Sequence, residues 1–146
     1  MATDLHIQLI LPTQQRYGSN FTYGPKAFVA VAGMQKLADQ WLKLFMTPKG
    51  SHSWRRAEGT LFPYLAGSNV VDPASVQVSV LEYIEDANTQ MKFTQGRILS
   101  LPANERFASA ELVQFTQVEE LSFDIWVLIS NTARERLSVL LPYVAY

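Results

Sequence analysis

Leu121-Ser122-Phe123-Asp124-Ile125-Trp126-Val127-Leu128-Ile129-Ser130 carries the plainest pattern in the chain. Leu121, Phe123, Ile125, Val127 and Ile129 alternate with Ser122, Asp124, Trp126, Leu128 and Ser130. A period of two sends successive side chains to opposite faces of a strand, so the first set marks a core-facing surface. The period returns in Leu137, Val139, Leu141 and Tyr143, and Asn131-Thr132-Ala133-Arg134-Glu135 between the runs reads as a hairpin loop. A third strand, about Ala110 to Val118, precedes them and turns at Glu119-Glu120. Trp126 and Leu128 share the second face with Leu140, so the sheet reads as apolar on both faces. Such a sheet calls for cover, and cover by another chain is the expectation, with the chain's own arm or a helix as the alternative. Pro142 cannot donate to a ladder, and an exposed edge here would be an aggregation hazard.

Upstream the period is that of helices. Met34, Leu37, Ala38, Trp41, Leu42 and Phe45 form one apolar stripe, with Gln35, Lys36, Asp39, Gln40 and Lys43 opposite. Thr47-Pro48-Lys49-Gly50 stops this helix, because proline cannot continue the ladder. Ser51 to Gly59 reads as a polar loop carrying Trp54-Arg55-Arg56, and Thr60 as the cap of a short helix from Leu61 to Leu65. Asp72-Pro73 starts a long helix whose stripe is Val76, Val80, Tyr83, Ile84, Ala87 and Met91, with a left-handed glycine stop expected near Gln95-Gly96. Helices followed by strands predict an α+β fold: helices packed on one face of a C-terminal antiparallel sheet that ends in a long hairpin. The N-terminal residues 1–26 read as an arm with one strand, Leu5, Ile7, Leu9 and Leu11 at period two, then a polar loop over residues 13–26; residues 27–146 form the single domain.

Composition bounds the function classes. The 146 residues are 48% hydrophobic and 17% charged, enough for one core without staples. A net charge of -1 with no basic run beyond Arg55-Arg56 argues against a nucleic-acid partner. The absence of cysteine excludes disulfides, thiolate metal sites and cysteine nucleophiles. Met1 to Asp4 lack a basic leader region, and no run approaches a membrane span, so a soluble chain is expected. The two histidines, His6 and His52, have no carboxylate cluster at ligand spacing and are expected to face solvent or a partner, so neither metal nor cofactor is predicted. Glu82, Glu85 and Asp86 share a helix face. They would be the acid/base pair of a glycan hydrolase only if burial split their pKa values; as a solvated face they carry no chemistry.

Gly33-Met34-Gln35, the helix after it, Met46-Thr47-Pro48-Lys49-Gly50-Ser51 and Glu58-Gly59-Thr60 together resemble the small baseplate wedge proteins of contractile tails. These are also called sheath initiators, or the lysozyme-like baseplate wedge family. Asn104-Glu105-Arg106-Phe107-Ala108-Ser109-Ala110 is similar to the family's segment before its first strand, and the resemblance covers about residues 28–144. The Glu-Pro-Arg tripeptide that such proteins carry after the long helix is absent; Thr89-Gln90-Met91-Lys92-Phe93 stands about there.

The resemblance implies a non-enzymatic virion component of the tail baseplate, assembled in the host cytoplasm in several copies. It would connect the baseplate to tube and sheath and initiate the sheath by offering its C-terminal hairpin for strand addition. Its implied partners are the tail sheath protein, baseplate wedge and hub proteins, and the tail tube, with no membrane. The residues nominated for that docking are Leu121, Phe123, Ile125, Trp126, Val127, Leu137, Val139, Leu140, Leu141 and Tyr143. Leu5, Ile7, Leu9 and Leu11 are nominated for an arm contact with a neighbouring chain. The alternatives are a tail-associated cell-wall glycan hydrolase using Glu82 and Glu85, and the equivalent part of a bacterial contractile injection system.

Overall fold

The first helix, α1 (Gly33–Met46), buries Leu37, Ala38, Trp41, Leu42 and Phe45, the stripe that its spacing predicts. A computed structural model describes residues 7–8, 20–21, 32–66, 68 and 72–144 of the chain. Ala32, at the N-cap of α1, offers no side-chain bond to the helix. Glu105 supplies it from elsewhere: its Oε1 accepts the Gly33 N–H at 3.2 Å and its Oε2 accepts Lys36 Nζ at 2.7 Å. A carboxylate suits the positive end of a helix dipole. Asp39, expected on the polar face, is instead buried and accepts Gln35 Nε2 at 2.9 Å.

After α1 the chain loops out and returns. The Thr60 N–H donates to the Thr47 carbonyl and the Lys49 N–H to the Thr60 carbonyl, both at 2.9 Å, closing the loop with a parallel bridge at Pro48 and Thr60. Gly59 has φ +97°, and a Cβ there would collide with the Thr47 carbonyl, so only glycine fits the closure. Thr60 Oγ1 accepts the Phe62 N–H at 3.2 Å and donates to the Phe45 carbonyl at 2.6 Å, capping α2 (Phe62–Ala66) as expected.

Helix α3 (Pro73–Gly96) opens on Asp72, whose side chain accepts the Ser75 N–H at 3.0 Å. The Ser75 hydroxyl and N–H together hold the Asp72 carboxyl below its ordinary range. The left-handed glycine stop does not occur: among the described glycines only Gly33, Gly50 and Gly59 have positive φ. The helix ends on a tightened turn, with the Ile98 N–H donating to the Gln95 carbonyl at 3.0 Å, which satisfies a terminal carbonyl without a φ reversal.

A 3-10 turn, Ala103–Glu105, leads into three strands: β3 (Phe107–Glu119), β4 (Ser122–Asn131) and β5 (Arg136–Val144). They pair antiparallel in the order β3-β4-β5, and the helices cover one face, an α+β arrangement. The third strand starts at Phe107 rather than Ala110, and the turn falls at Glu120-Leu121. Leu121 therefore lies outside the alternation and is exposed. Rings join helices to sheet: Trp41 stacks on Phe45 at 4.8 Å, Phe45 meets Phe62 at 4.7 Å, and Phe62 reaches Tyr143 at 6.4 Å. Tyr143 in turn meets Phe123 at 5.5 Å, and Phe123 meets Phe115 at 5.2 Å. The Tyr143 hydroxyl donates to the Leu65 carbonyl at 3.0 Å, so burial of the ring leaves its polar tip satisfied.

In the N-terminal region two short strands, β1 (Ile7–Gln8) and β2 (Asn20–Phe21), pair antiparallel, Ile7 with Phe21 and Gln8 with Asn20. The expected loop over residues 13–26 therefore contains a strand at Asn20–Phe21, which partners the predicted strand within the chain. Leu5, Leu9 and Leu11 lie outside the described residues. No helix among the described residues is long and apolar enough to cross a membrane.

Candidate docking edge

The hairpin loop sets the phase of everything beyond it. The Asn131 N–H donates to the Glu135 carbonyl at 3.1 Å. The Asn131 side chain, buried, accepts the Glu135 N–H at 2.9 Å and donates to the Asn104 carbonyl at 2.8 Å. Antiparallel ladders bond every second residue pair. From Asn131 and Glu135 the bonded pairs are thus Ile129 with Leu137, Val127 with Val139, Ile125 with Leu141, and Phe123 with Tyr143. Arg136, Ser138, Leu140, Pro142 and Val144 then turn their main-chain groups away from β4. The register holds without a shift from Arg136 to Val144. Among the described residues β5 pairs only with β4, so its outward row has no strand partner there. Pro142 stands in the outward row, where its missing N–H costs no bond to β4.

The other edge of the sheet is covered where β3 begins. The same phase turns Phe107 and Ala110 of β3 outward, and both are taken by α3. Gln95 Oε1 accepts the Phe107 N–H at 2.6 Å, and Asn88 Nδ2 donates to the Ala110 carbonyl at 2.8 Å. Asn88 Oδ1 also accepts Trp41 Nε1 at 3.2 Å, so one buried amide ties α1, α3 and β3 together. Beyond that point β3 is broken by register shifts at Leu112/Gln114 and Gln117/Glu119, and a third interrupts it at Phe107/Ser109. Bulges and covering groups are how sheet edges avoid unwanted pairing; β5 has no register shift, and no hydrogen bond among the described residues caps its outward row.

The nominated docking residues divide along these lines. Phe123, Ile125, Val127, Val139, Leu141 and Tyr143 are buried in the chain's own core, and Leu137 packs partly against it. Their side chains cannot also be contact residues, because each strand residue presents one face only; they fix the strands whose main chain forms the edge. Trp126 and Leu140 are cross-strand partners on the second face, where they and Leu128 are half-buried. That face is not apolar throughout, contrary to the expectation of a sheet apolar on both faces. Ser109, Glu111, Gln114, Thr116, Ser122, Asp124, Ser130 and Ser138 share it, leaving a central apolar patch in a polar frame.

Sequence reasoning missed Asn88 and Gln95, the two amides that close the β3 edge. Polar residues within an apolar helical stripe were the available signal.

The carboxylates of the hydrolase alternative form no buried pair. Glu82 and Glu85 are exposed, and Asp86 is bound at 3.0 Å by Lys49 and at 3.1 Å by Gln90 Nε2. His52, expected to face solvent or a partner, is half-buried and stacks on Trp54, with Nδ1 3.6 Å from a Glu58 carboxylate oxygen. His6 lies outside the described residues. No protein-family model, curated protein or solved structure matches this chain.

Proposed function

We propose that this protein is a docking module that extends its three-stranded sheet by accepting a partner's strand along β5, and that it serves as the sheath initiator of a contractile-tail baseplate. The observation that carries the first half is the regular outward row of β5, which no other described strand pairs, beside a β3 edge that α3 and bulges interrupt. Strand addition draws its affinity from main-chain hydrogen bonds, which any extended segment can supply. The second half rests on the resemblance of residues 28–144 to baseplate wedge proteins. The motif Thr47-Pro48-Lys49-Gly50 and the motif Glu58-Gly59-Thr60, which carry that resemblance, form the two sides of the bridged loop. The partner in this reading is an extended arm of the first ring of tail sheath subunits; wedge, hub and tube proteins surround the remaining faces.

The test is binding of the purified protein to its cognate sheath subunit, with the edge altered rather than removed. Deleting residues 137–144 would strip Val139, Leu141 and Tyr143 from the core and unfold the chain. Ser138→Pro removes an outward N–H alone. Binding by wild type that this variant loses supports the reading; equal binding by both overturns it.

A further inference from the structure

Away from the sheet, the turn segment before Gly59 and the last turns of α3 enclose an open groove of about 550 Å³. Its walls bring together Trp54, Phe93, Arg55, Arg56, Arg97 and Glu58. Trp54 is 78% exposed and Phe93 64% exposed, although large rings usually find cover. Both are nevertheless held. The His52 ring stacks on the Trp54 indole at 5.4 Å, and the Arg97 guanidinium lies 4.3 Å over the Phe93 ring. The loop itself is fixed to α3: Gln90 accepts the Gly59 N–H at 3.0 Å and donates to the Gly59 carbonyl at 2.8 Å, and Lys49 pairs with Asp86 at 3.0 Å. The groove is thus organised before any ligand arrives, which lowers the ordering cost of binding.

Its charge is unbalanced. Arg55 lies 3.6 Å from Glu58, but Arg56 and Arg97 have no ion pair among the described residues. Two guanidiniums without an ion pair among the described residues, one of them stacked on Phe93, stand beside two exposed rings and make a local positive site with an apolar floor. We propose that this groove binds an acidic segment of a partner protein that carries an apolar or aromatic anchor, as a second docking site beside the β5 edge. Guanidinium forks match carboxylates bidentately, and tryptophan and arginine dominate the energetics of protein interfaces. A nucleic-acid backbone fits less well: it needs a longer track of cations, and here it would meet Glu58. The groove shares no residue with β3, β4 or β5, so one chain can hold this segment and an added strand at once.

The experiment is selection of a displayed library of random dodecapeptides on the full chain. One enriched peptide, labelled with fluorescein, is then titrated by anisotropy. Enriched peptides are expected to carry Asp or Glu around a Trp, Phe or Leu. Binding is expected to weaken roughly tenfold or more in Arg56→Glu and in Trp54→Ala, the loss of one charged or aromatic anchor. Arg56 and Trp54 are exposed, and circular dichroism checks that both variants keep the wild-type fold. Ser138→Pro should bind the peptide as wild type does, which separates this site from the β5 edge. Neutral or basic enriched peptides, or an affinity unmoved by Arg56→Glu, would overturn the proposal. Tighter binding of oligothymidine than of any selected peptide would overturn it too, in favour of a nucleic-acid partner.

Discussion

Proline at position 138 separates the two sides of β5. The ladder phase leaves the Ser138 N–H pointing away from β4, while the N–H of Val139 bonds within the Val127 pair. Ser138→Pro therefore removes a donor that the folded chain does not use, and its exposed side chain packs against nothing in the core. Fold stability should fall by less than about 1 kcal/mol, as for proline on the open side of an edge strand. Val139→Pro should cost roughly 3 kcal/mol or more, because a ladder bond and a buried side chain go together. Binding should reverse the order of damage. An added strand would lose one main-chain hydrogen bond at Ser138 and keep an unpaired carbonyl there, about 1–3 kcal/mol. That is about five- to 150-fold in Kd. Urea titrations of both variants give the stabilities, and calorimetry with the cognate sheath subunit gives the affinities. If Ser138→Pro destabilises the chain as much as Val139→Pro, the assigned phase is wrong; if it is stable and binds like wild type, β5 is not the docking edge.

Three further outcomes follow from the geometry. Asn88→Ala leaves Trp41 Nε1 and the Ala110 carbonyl unpaired in the interior and should cost about 2–4 kcal/mol, read by thermal or urea unfolding. Gly59→Ala places a Cβ against the Thr47 carbonyl at φ +97° and should cost about 3 kcal/mol or more, with the loss seen in the unfolding midpoint. Lys36, with its hydrogen bond to Glu105, holds the Glu105 carboxyl below the ordinary range; burial opposes this in part, and the Gly33 N–H adds to it. Between that lowered pKa and the ordinary one the unfolded chain binds more protons, so stability rises with pH across the interval. The contribution is complete above the ordinary pKa and is lost as pH falls through the lowered one. Glu105→Gln should remove about 1–2 kcal/mol at neutral pH and flatten this acid limb, measured as urea midpoints from about pH 2.5 to 6. Asp72, lowered by Ser75, should leave the variant a residual slope of the same sign.

The hairpin was legible because β4 and β5 keep period two without interruption, and both helical stripes were legible because burial follows them. The start of β3 was not, since its register shifts put Phe107 and Ala110 on one face three residues apart, a spacing that imitates other structure. Leu121 continues the alternation on paper, but the turn at Glu120-Leu121 takes it out of the strand. The edge itself was half legible. The sequence shows Pro142 in the last strand, but which way its nitrogen points depends on a single hydrogen bond in the Asn131 loop. The closure of β3 could not be read at all: Asn88 finds Trp41 47 residues earlier and Ala110 22 residues later, and neither separation leaves a local pattern. The groove at Trp54 is similar, since loop and helix end meet through Gln90 with Gly59 and Lys49 with Asp86, pairs that leave no local pattern.

The most direct test of strand addition is amide hydrogen exchange along β5 with and without the cognate sheath subunit. In the free protein Val139 and Leu141 should be protected by β4 while Ser138 and Leu140 exchange quickly. On binding, Ser138 and Leu140 should become protected, giving a continuous protected strand. A complex that forms while Ser138 and Leu140 still exchange at the free rate would contradict the account, as would a sheath subunit that does not bind at all.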